Sequence, residues 1–321
     1  MPNIGEKSNK PAAQTREVDA EVAGQRLDNF LLGSLKGVPR SHVYRLIRSG
    51  QVRVNSGRTT PSYRLRAGDR VRVPPVAVAA RQAVAADAEG LEWLERRIVH
   101  EDARLLVLDK PAGLAVHGGS GIRLGCIEAL RVLRPKVKSL ELVHRLDRAT
   151  SGCLLVAKRR SALRMLHGML REGGMQKRYL ALVKGLWERG KVEIDVPLAI
   201  RRRPAGEMRV RVDAAGKIAR SVFRRIEAYA TTASLMEILL LTGRTHQIRV
   251  HAAHVGHPLA GDERYGDGAF NEQMRGCGLE RMFLHAHSIA FAWPDTGEEL
   301  AVNAPLPTEL AAVLDALAAR S

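Results

Sequence analysis

Cysteine is scarce in this sequence: Cys126, Cys153 and Cys277 are the only three in 321 residues, and no CxxC pair is formed. That excludes a disulfide framework and a zinc knuckle, and it points to a reducing compartment. Long apolar runs are missing too, with nothing near the roughly 20 residues a membrane-spanning helix requires. The opening stretch is polar and mixed in charge and lacks the apolar core of a secretory signal. A cytoplasmic protein without a membrane partner is the expectation. Acids are outnumbered, 34 Asp and Glu against 51 Lys and Arg, for a net charge of +17. Because the excess recurs in several separate segments, a nucleic acid fits it better than an anionic membrane does, though charge that merely keeps a protein soluble is the alternative. Internal repeats, a Walker loop, a dinucleotide fingerprint and an HExxH pair are all lacking.

What is present divides the chain. Its length exceeds that of one ordinary domain. Residues 1–21 are polar without a period and read as a disordered arm. From Gly24 the spacing of Leu27, Phe30, Leu31 and Leu35 predicts a helix. A second helix carries Val43, Leu46 and Ile47 on one face and Arg45 and Arg48 on the other, with Gly50 as its stop. Two short strands follow, QVRVN and DRVRV, whose alternation sends Val52, Val54, Val71 and Val73 inward and Arg53, Arg70 and Arg72 outward. Residues 22–75 thus form a small domain with one arginine-coated side, an RNA surface or simply a solvated face. Residues 76–90, rich in Ala, Val and Pro, read as a linker.

Residues 91–321 form the second domain. RLLVLDKP is a strand ended by Pro111 and Gly113, and the HGGSG run after it is a tight loop, since it lacks the spacing of a phosphate cradle. Helices are predicted near Cys126–Leu133, over SALRMLHGMLRE, over THQIRVHAAHVG and from Thr308 to Leu317. Between them lie strands with short connections: KRYLALVKG, KVEIDVPL, MRVRV, ARSVFRRIEAYA, SLMEILLLTG and MFLHAHSIAFAW. Few helices interrupt them, which predicts a largely antiparallel sheet and an α+β class. Residues 201–225 hold nine Arg or Lys against two acids; there Arg209 and Arg211 alternate with apolar neighbours, as a hairpin following phosphates would, or as any exposed hairpin would.

Between two apolar runs, in ELVHRLDRATSGCLLVAK, one carboxylate stands in a polar turn: Asp147. A loop braced by rigid strands is where catalytic groups usually sit, although Asp is also an ordinary turn residue. HRLDRATSG, together with GMQKRYLALVKG, TGRTHQIRVHAAHVGHPLAGDERYG and RMFLHA in the same order, resembles the RluA-type pseudouridine synthases. RLDNFL and SHVYRLIRSGQVRVN resemble the S4 RNA-binding domain that such enzymes often carry. The likeness runs from about Gly24 to Pro307.

That resemblance implies an isomerase that converts uridines of 23S ribosomal RNA to pseudouridine. It implies Asp147 as the essential carboxylate, Tyr179 stacked on the uracil, Arg249 paired with Asp147, Leu284 walling the pocket and Arg145 holding the target nucleotide out of its helix. A guanidinium suits that place, because its planar fork favours and orients a neighbouring carboxylate. Isomerisation moves the uracil from N1 to C5 on the same sugar carbon and consumes no electron, water or phosphate, so no cofactor and no metal are expected. Whether Asp147 attacks C1' or removes a sugar proton stays open. A monomer is expected.

Two other classes compete. A ribosome-assembly protein could keep the basic surface without the chemistry; the set Asp147, Tyr179 and Arg249 speaks against it. A metal-dependent hydrolase could use His246, His251, His254, His257, His285 and His287, but no carboxylate or cysteine completes a recognised ligand set.

Overall fold

The structure, a computed structural model, describes residues 13–20, 22–35, 38, 40–76, 90–118, 124–137, 139–202 and 208–320. The chain divides into two compact units, Met1–Ala85 and Ala86–Ser321.

The first unit packs α1 (Leu27–Ser34) and α2 (Arg40–Arg48) on a small antiparallel sheet of order β1-β3-β2, formed by β1 (Gln14–Glu17), β2 (Arg53–Val54) and β3 (Arg70–Val73). Leu27 and Leu31 of α1 meet Val43, Leu46 and Ile47 of α2 in one core with Val52, Val54, Val71 and Val73. The period-2 pattern therefore sorts β3 as expected: Val71 and Val73 are buried, and Arg70 and Arg72 are exposed, as are Arg45, Arg48 and Arg53. Asp28 locks the two helices. It is buried and accepts hydrogen bonds from Arg26 Nη2 at 2.7 Å and Tyr44 OH at 2.7 Å; the Arg26 bond above all holds its carboxyl down at about 2.

One expectation is corrected here. Residues 14–17, placed in an unstructured arm, pair antiparallel with β3 from Gln14 opposite Val73 to Glu17 opposite Arg70. All four side chains are exposed, so the strand is held by its backbone bonds and by Val18, which is buried beside it. A strand with no buried face leaves no hydrophobic period to read. The rest of the expected arm, Ala13 and Val18 to Ala20 apart, and most of the expected linker lie outside the described residues.

The second unit opens with a 3-10 turn, Glu92–Arg97, then β4 (Ile98–Glu101), β5 (Leu105–Lys110), α3 (Cys126–Leu133), β6 (Glu141–Leu142), β7 (Ser151–Ala157) and α4 (Arg160–Glu172). It continues through β8 (Gln176–Lys184), β9 (Lys191–Asp195), β10 (Leu198–Arg202), β11 (Met208–Val212), β12 (Arg220–Tyr229) and β13 (Ala233–Leu240). Then come α5 (Gln247–His254), α6 (Gly268–Arg275), β14 (Leu284–Ala292), β15 (Glu299–Asn303) and α7 (Thr308–Ala318). The class is α+β: a ten-stranded sheet runs β4-β5-β7-β14-β8-β13-β12-β9, with β15 added to β14 and β6 to β7, while β10 and β11 form a separate hairpin. Among the described residues only β7 and β14 pair parallel.

β5 and β7 are buried along their whole length because both faces of the sheet are covered. Leu154 and Val156 face one cluster with Leu106, Tyr179 and Ala181; Leu155 and Ala157 face another with Leu105, Val107 and Leu166 of α4. Where β7 meets β14, Gly152 has φ +106°, and a Cβ there would lie 2.3 Å from the carbonyl oxygen of Ala286. Glycine is thus what lets the strand carrying the HRLDRATSG turn close on β14.

Candidate active site

Asp147 lies in the connection between β6 and β7, and the structure fixes that connection from three sides. The Asp147 carbonyl accepts from Thr150 N–H at 3.1 Å, closing a turn. His144 Nε2 accepts the Leu155 N–H at 3.2 Å, with burial pushing its imidazole down to about 4. Lys110, fully buried at the end of β5, donates to the carbonyls of Pro111, Leu114 and Arg148 at 2.9, 3.0 and 3.3 Å. The KPAGL and HRLDR segments are thereby tied together. Burial pulls the Lys110 ammonium down to about 8.

Arg249 arrives from α5. Its Nη1 donates to Asp147 Oδ2 at 3.1 Å, while Nε and Nη2 grip both oxygens of Asp262 at 2.7 Å each. Asp262 is also held by Arg264 N–H and Tyr265 N–H at 2.9 and 3.1 Å. Burial opposes its ionisation, but the bonds and charge of Arg249 outweigh that and keep its carboxyl below the ordinary value.

α5 is aimed by its own motif. Gln247, buried, accepts from Thr242 Oγ1 and Arg244 N–H at 2.7 and 3.0 Å, and donates to the Arg220 carbonyl and Ser221 Oγ at 2.9 and 2.8 Å. His246 precedes the helix in the left-handed region, φ +52°. Tyr265 OH takes the Val210 N–H at 3.0 Å, so its own proton points to His246 Nδ1 at 2.9 Å. With Nδ1 as acceptor, the network places the ring's single proton on Nε2, 3.8 Å from Asp147 Oδ2. Burial lowers the His246 pKa, which keeps the ring neutral. The Tyr265 ring lies under the guanidinium groups of Arg249 and Arg209, at 5.0 and 5.7 Å.

Asp147, Tyr179, Arg249, Leu284 and Arg145 line one cavity of about 850 Å³. Tyr179 and Leu284 are buried in its wall and Arg145 is exposed. Burial, reinforced by the charge of Asp147, raises the Tyr179 phenol above its ordinary value. A second cavity of about 860 Å³ shares Asp147, Arg148, His246 and Arg249 and is lined further by Arg209, Arg264, Arg275 and Arg281. Arg211 stands apart, exposed and 3.4 Å from Asp213. Sequence reading gave no role to Asp262, Tyr265 or Lys110; the first two stand in GDERYG and the third in KPAGL, so the motifs carried the signal without saying what each residue touches.

Of the remaining histidines His254 is exposed, whereas two others pack. His251 and His285 are both buried and share one arrangement. In each, a serine hydroxyl lies at Nδ1, Ser221 at 3.0 Å and Ser151 at 2.9 Å, and a backbone carbonyl lies at Nε2, Val196 at 3.3 Å and Ala304 at 3.1 Å. Both serines are themselves hydrogen-bonded by a donor, Gln247 Nε2 and Arg281 Nη2. Each Nε2 therefore donates to its carbonyl, and burial, holding each ring at about 4, leaves it neutral with Nδ1 accepting from the serine hydroxyl. Among the described residues no three His, Cys, Asp or Glu side chains are grouped as a metal would need. Nor is any helix there long and apolar enough to cross a membrane.

A braced aspartate, a buried tyrosine and a shared arginine thus line one cavity beside a second that is rich in arginine. A family model described as RNA pseudouridylate synthase matches residues 104–254, and one for the S4 domain matches residues 25–71. Human RNA Pseudouridylate Synthase Domain Containing 4 shares the fold with a TM-score of 0.59 and 26% identity, over 71% of this chain and 95% of that one. The chain belongs to the RNA pseudouridine synthase family. Its similarity to individual members is high: it is 52% identical to Ribosomal large subunit pseudouridine synthase C of Yersinia pestis, over 97% of this chain and 98% of that protein. With the protein of the same name from Escherichia coli strain K12 it shares 50% identity, again over 97% and 98%.

Proposed function

We propose that this enzyme isomerises uridines of large-subunit ribosomal RNA, in the cytoplasm where ribosomes are made, with Asp147 as its essential group and without a cofactor. The observation that carries the reading is the placement of Asp147. Oδ2 is held by Arg249 at 3.1 Å, while among the described residues Oδ1 takes no hydrogen bond. The carboxylate is thus oriented by one oxygen and keeps the other for a sugar. That serves attack on C1' and removal of a sugar proton equally.

The two cavities divide the substrate. The uracil enters the one walled by Tyr179 and Leu284, with Arg145 at its rim in place of the base's former neighbours, and the adjoining phosphates lie towards Arg209, Arg264 and Arg281. Unstacking a base costs roughly a few kcal/mol. Phosphate contacts offset that cost, including those of the first unit, where Arg53 and Arg72 stand directly opposite one another in β2 and β3. Like charges so placed disfavour each other unless an anion lies over them.

The test is a pseudouridine map of ribosomal RNA from cells with and without the gene. Deletion should remove pseudouridine at defined large-subunit positions, and the wild-type gene, but not Asp147→Asn, should restore it. An unchanged map would overturn the reading.

A further inference from the structure

Lys177 stands on β8 two residues before Tyr179, so the two side chains leave the same face of the strand. It is 9% exposed and lines the cavity that holds Asp147 and Tyr179. A methyl group placed on Gly243, across that cavity's wall, would sit 3.7 Å from Nζ, so the ammonium ends at the cavity.

Its surroundings differ from those of the other buried lysine. Lys110 gives its ammonium to three carbonyl oxygens. Lys177 has no hydrogen bond or ion pair among the described residues, and burial alone pulls it down to about 8. Nearby His144 cannot serve it, because Nε2 of that ring already accepts from Leu155 N–H. The side chain is mostly buried but its ammonium opens on the cavity with no protein acceptor among the described residues, and a charge held so is favoured where a ligand brings the opposite one.

The reaction supplies such a charge, and this step rests on the function proposed above. Whether Asp147 attacks C1' or removes a sugar proton, the C1'–N1 bond breaks with both electrons going to the ring. Uracil therefore departs as a monoanion whose charge is spread over N1 and the two carbonyl oxygens. We infer that Lys177 is a catalytic residue that stabilises this departing anion, its ammonium donating a hydrogen bond to a ring carbonyl oxygen. The ammonium keeps its proton throughout. When the ring's electron pair forms the C5–C1' bond, the Asp147–C1' bond breaks, or the sugar recovers the proton Asp147 took; the proton shed from C5 is matched by one gained at N1, and no outside reactant is consumed. A donor fixed in a water-poor pocket where charge develops acts on the transition state more than on the bound substrate.

The experiment compares the full-length wild type with Lys177→Met by single-turnover isomerisation, RNA affinity and thermal melting, using large-subunit RNA from cells lacking the gene. The rate should fall about 100-fold, as removal of one such donor does, while Kd stays within about twofold because the charge is met only as the bond breaks. The melting temperature should hold or rise, since a mostly buried side chain without an ion-pair partner gives way to an apolar one. An undiminished rate would overturn the inference. So would a lower melting temperature alongside the lost rate, which would make Lys177 structural. Affinity falling in step with rate, with the salt slope shallower by about 0.7 to 0.9, would make it a phosphate ligand and overturn it too. A wild type that forms no pseudouridine would remove the underlying reading, whereas a competent wild type matched by Lys177→Met removes only the role of Lys177.

Discussion

Arg249 belongs to Asp262 before it belongs to Asp147: two of its nitrogens hold Asp262 at 2.7 Å each, and a single one reaches Asp147 at 3.1 Å. The Asp147 carboxylate is therefore oriented by a guanidinium that a second, fully buried carboxylate has already immobilised. Asp262→Asn should slow single-turnover isomerisation while leaving RNA affinity near that of the wild type, because it loosens Arg249 without touching the basic surface. Arg249→Met should be worse on both counts of activity and stability. It strands Asp262, whose side chain is 1% exposed, and removing one partner of a buried pair costs about 3–5 kcal/mol. Urea unfolding of the two variants checks the order; an Arg249→Met protein as stable as wild type would contradict it.

Asp147→Asn keeps the shape of the side chain and removes its charge. Isomerisation should be lost while RNA binding and the melting temperature survive, since the Thr150 turn and the Lys110 bonds do not involve the carboxylate. Measurable turnover by this variant would refute the mechanism.

His251 and His285 set a dependence on pH. Burial, foremost, holds both at about 4 in the folded chain, against about 6.5 unfolded. Their folded pKa is depressed, so the unfolded chain binds the extra protons as the medium acidifies. Their contribution is complete above about pH 6.5 and is lost as pH falls towards 4, by about 1.4 kcal/mol per pH unit for each ring. Urea midpoints between pH 7.5 and 4.5 measure the slope, and the variant carrying both His251→Gln and His285→Gln should show a shallower one. An identical slope would mean that other groups carry it.

Arg53 and Arg72 face one another across β2 and β3, both exposed. Replacing both by Gln should flatten the salt dependence of RNA binding by about 0.7 to 0.9 for each phosphate that is no longer neutralised. The first unit should become slightly more stable in the absence of RNA, by about 0.2–1 kcal/mol, because a like-charged cross-strand pair is relieved. An unchanged slope would place the RNA elsewhere.

Elements with a buried face were legible. α4 and β11 stand where periodicity put them, because a helix or strand packed on one side writes that side into the sequence, and β7, covered on both faces, stands where a continuous apolar run put it. β1 has no buried side chain, and the short α6 carries Phe270 and Met274 inward without an extended period, so neither showed. In the site, Asp147, Tyr179, Arg249, Leu284 and Arg145 were named from motifs and share one cavity. The bond between Asp147 and Arg249 spans 102 residues, and the grip of Asp262 on Arg249 spans 13. No local pattern specifies bonds made by folding distant segments together. Lys177 was hidden for another reason: what marks it is the lack of a partner, and sequence does not show that.

β14 is the penultimate strand in the chain, yet it sits in the middle of the sheet, between β7 and β8. Before it is synthesised, the strands already made fall into two separate ribbons, β4-β5-β7 and β8-β13-β12-β9. Asp147 precedes the inner strand of one ribbon, while Tyr179 lies on the inner strand of the other and Arg249 follows its neighbour. The residues that line the cavity are therefore divided between two ribbons until β14 is made. Both inner edges stay open until residues near Ala292 emerge, and open edges of this kind invite wrong partners. The order of the strands thus gives the cavity a birth time as well as a shape: its walls join only when almost the last of the strands slides into place.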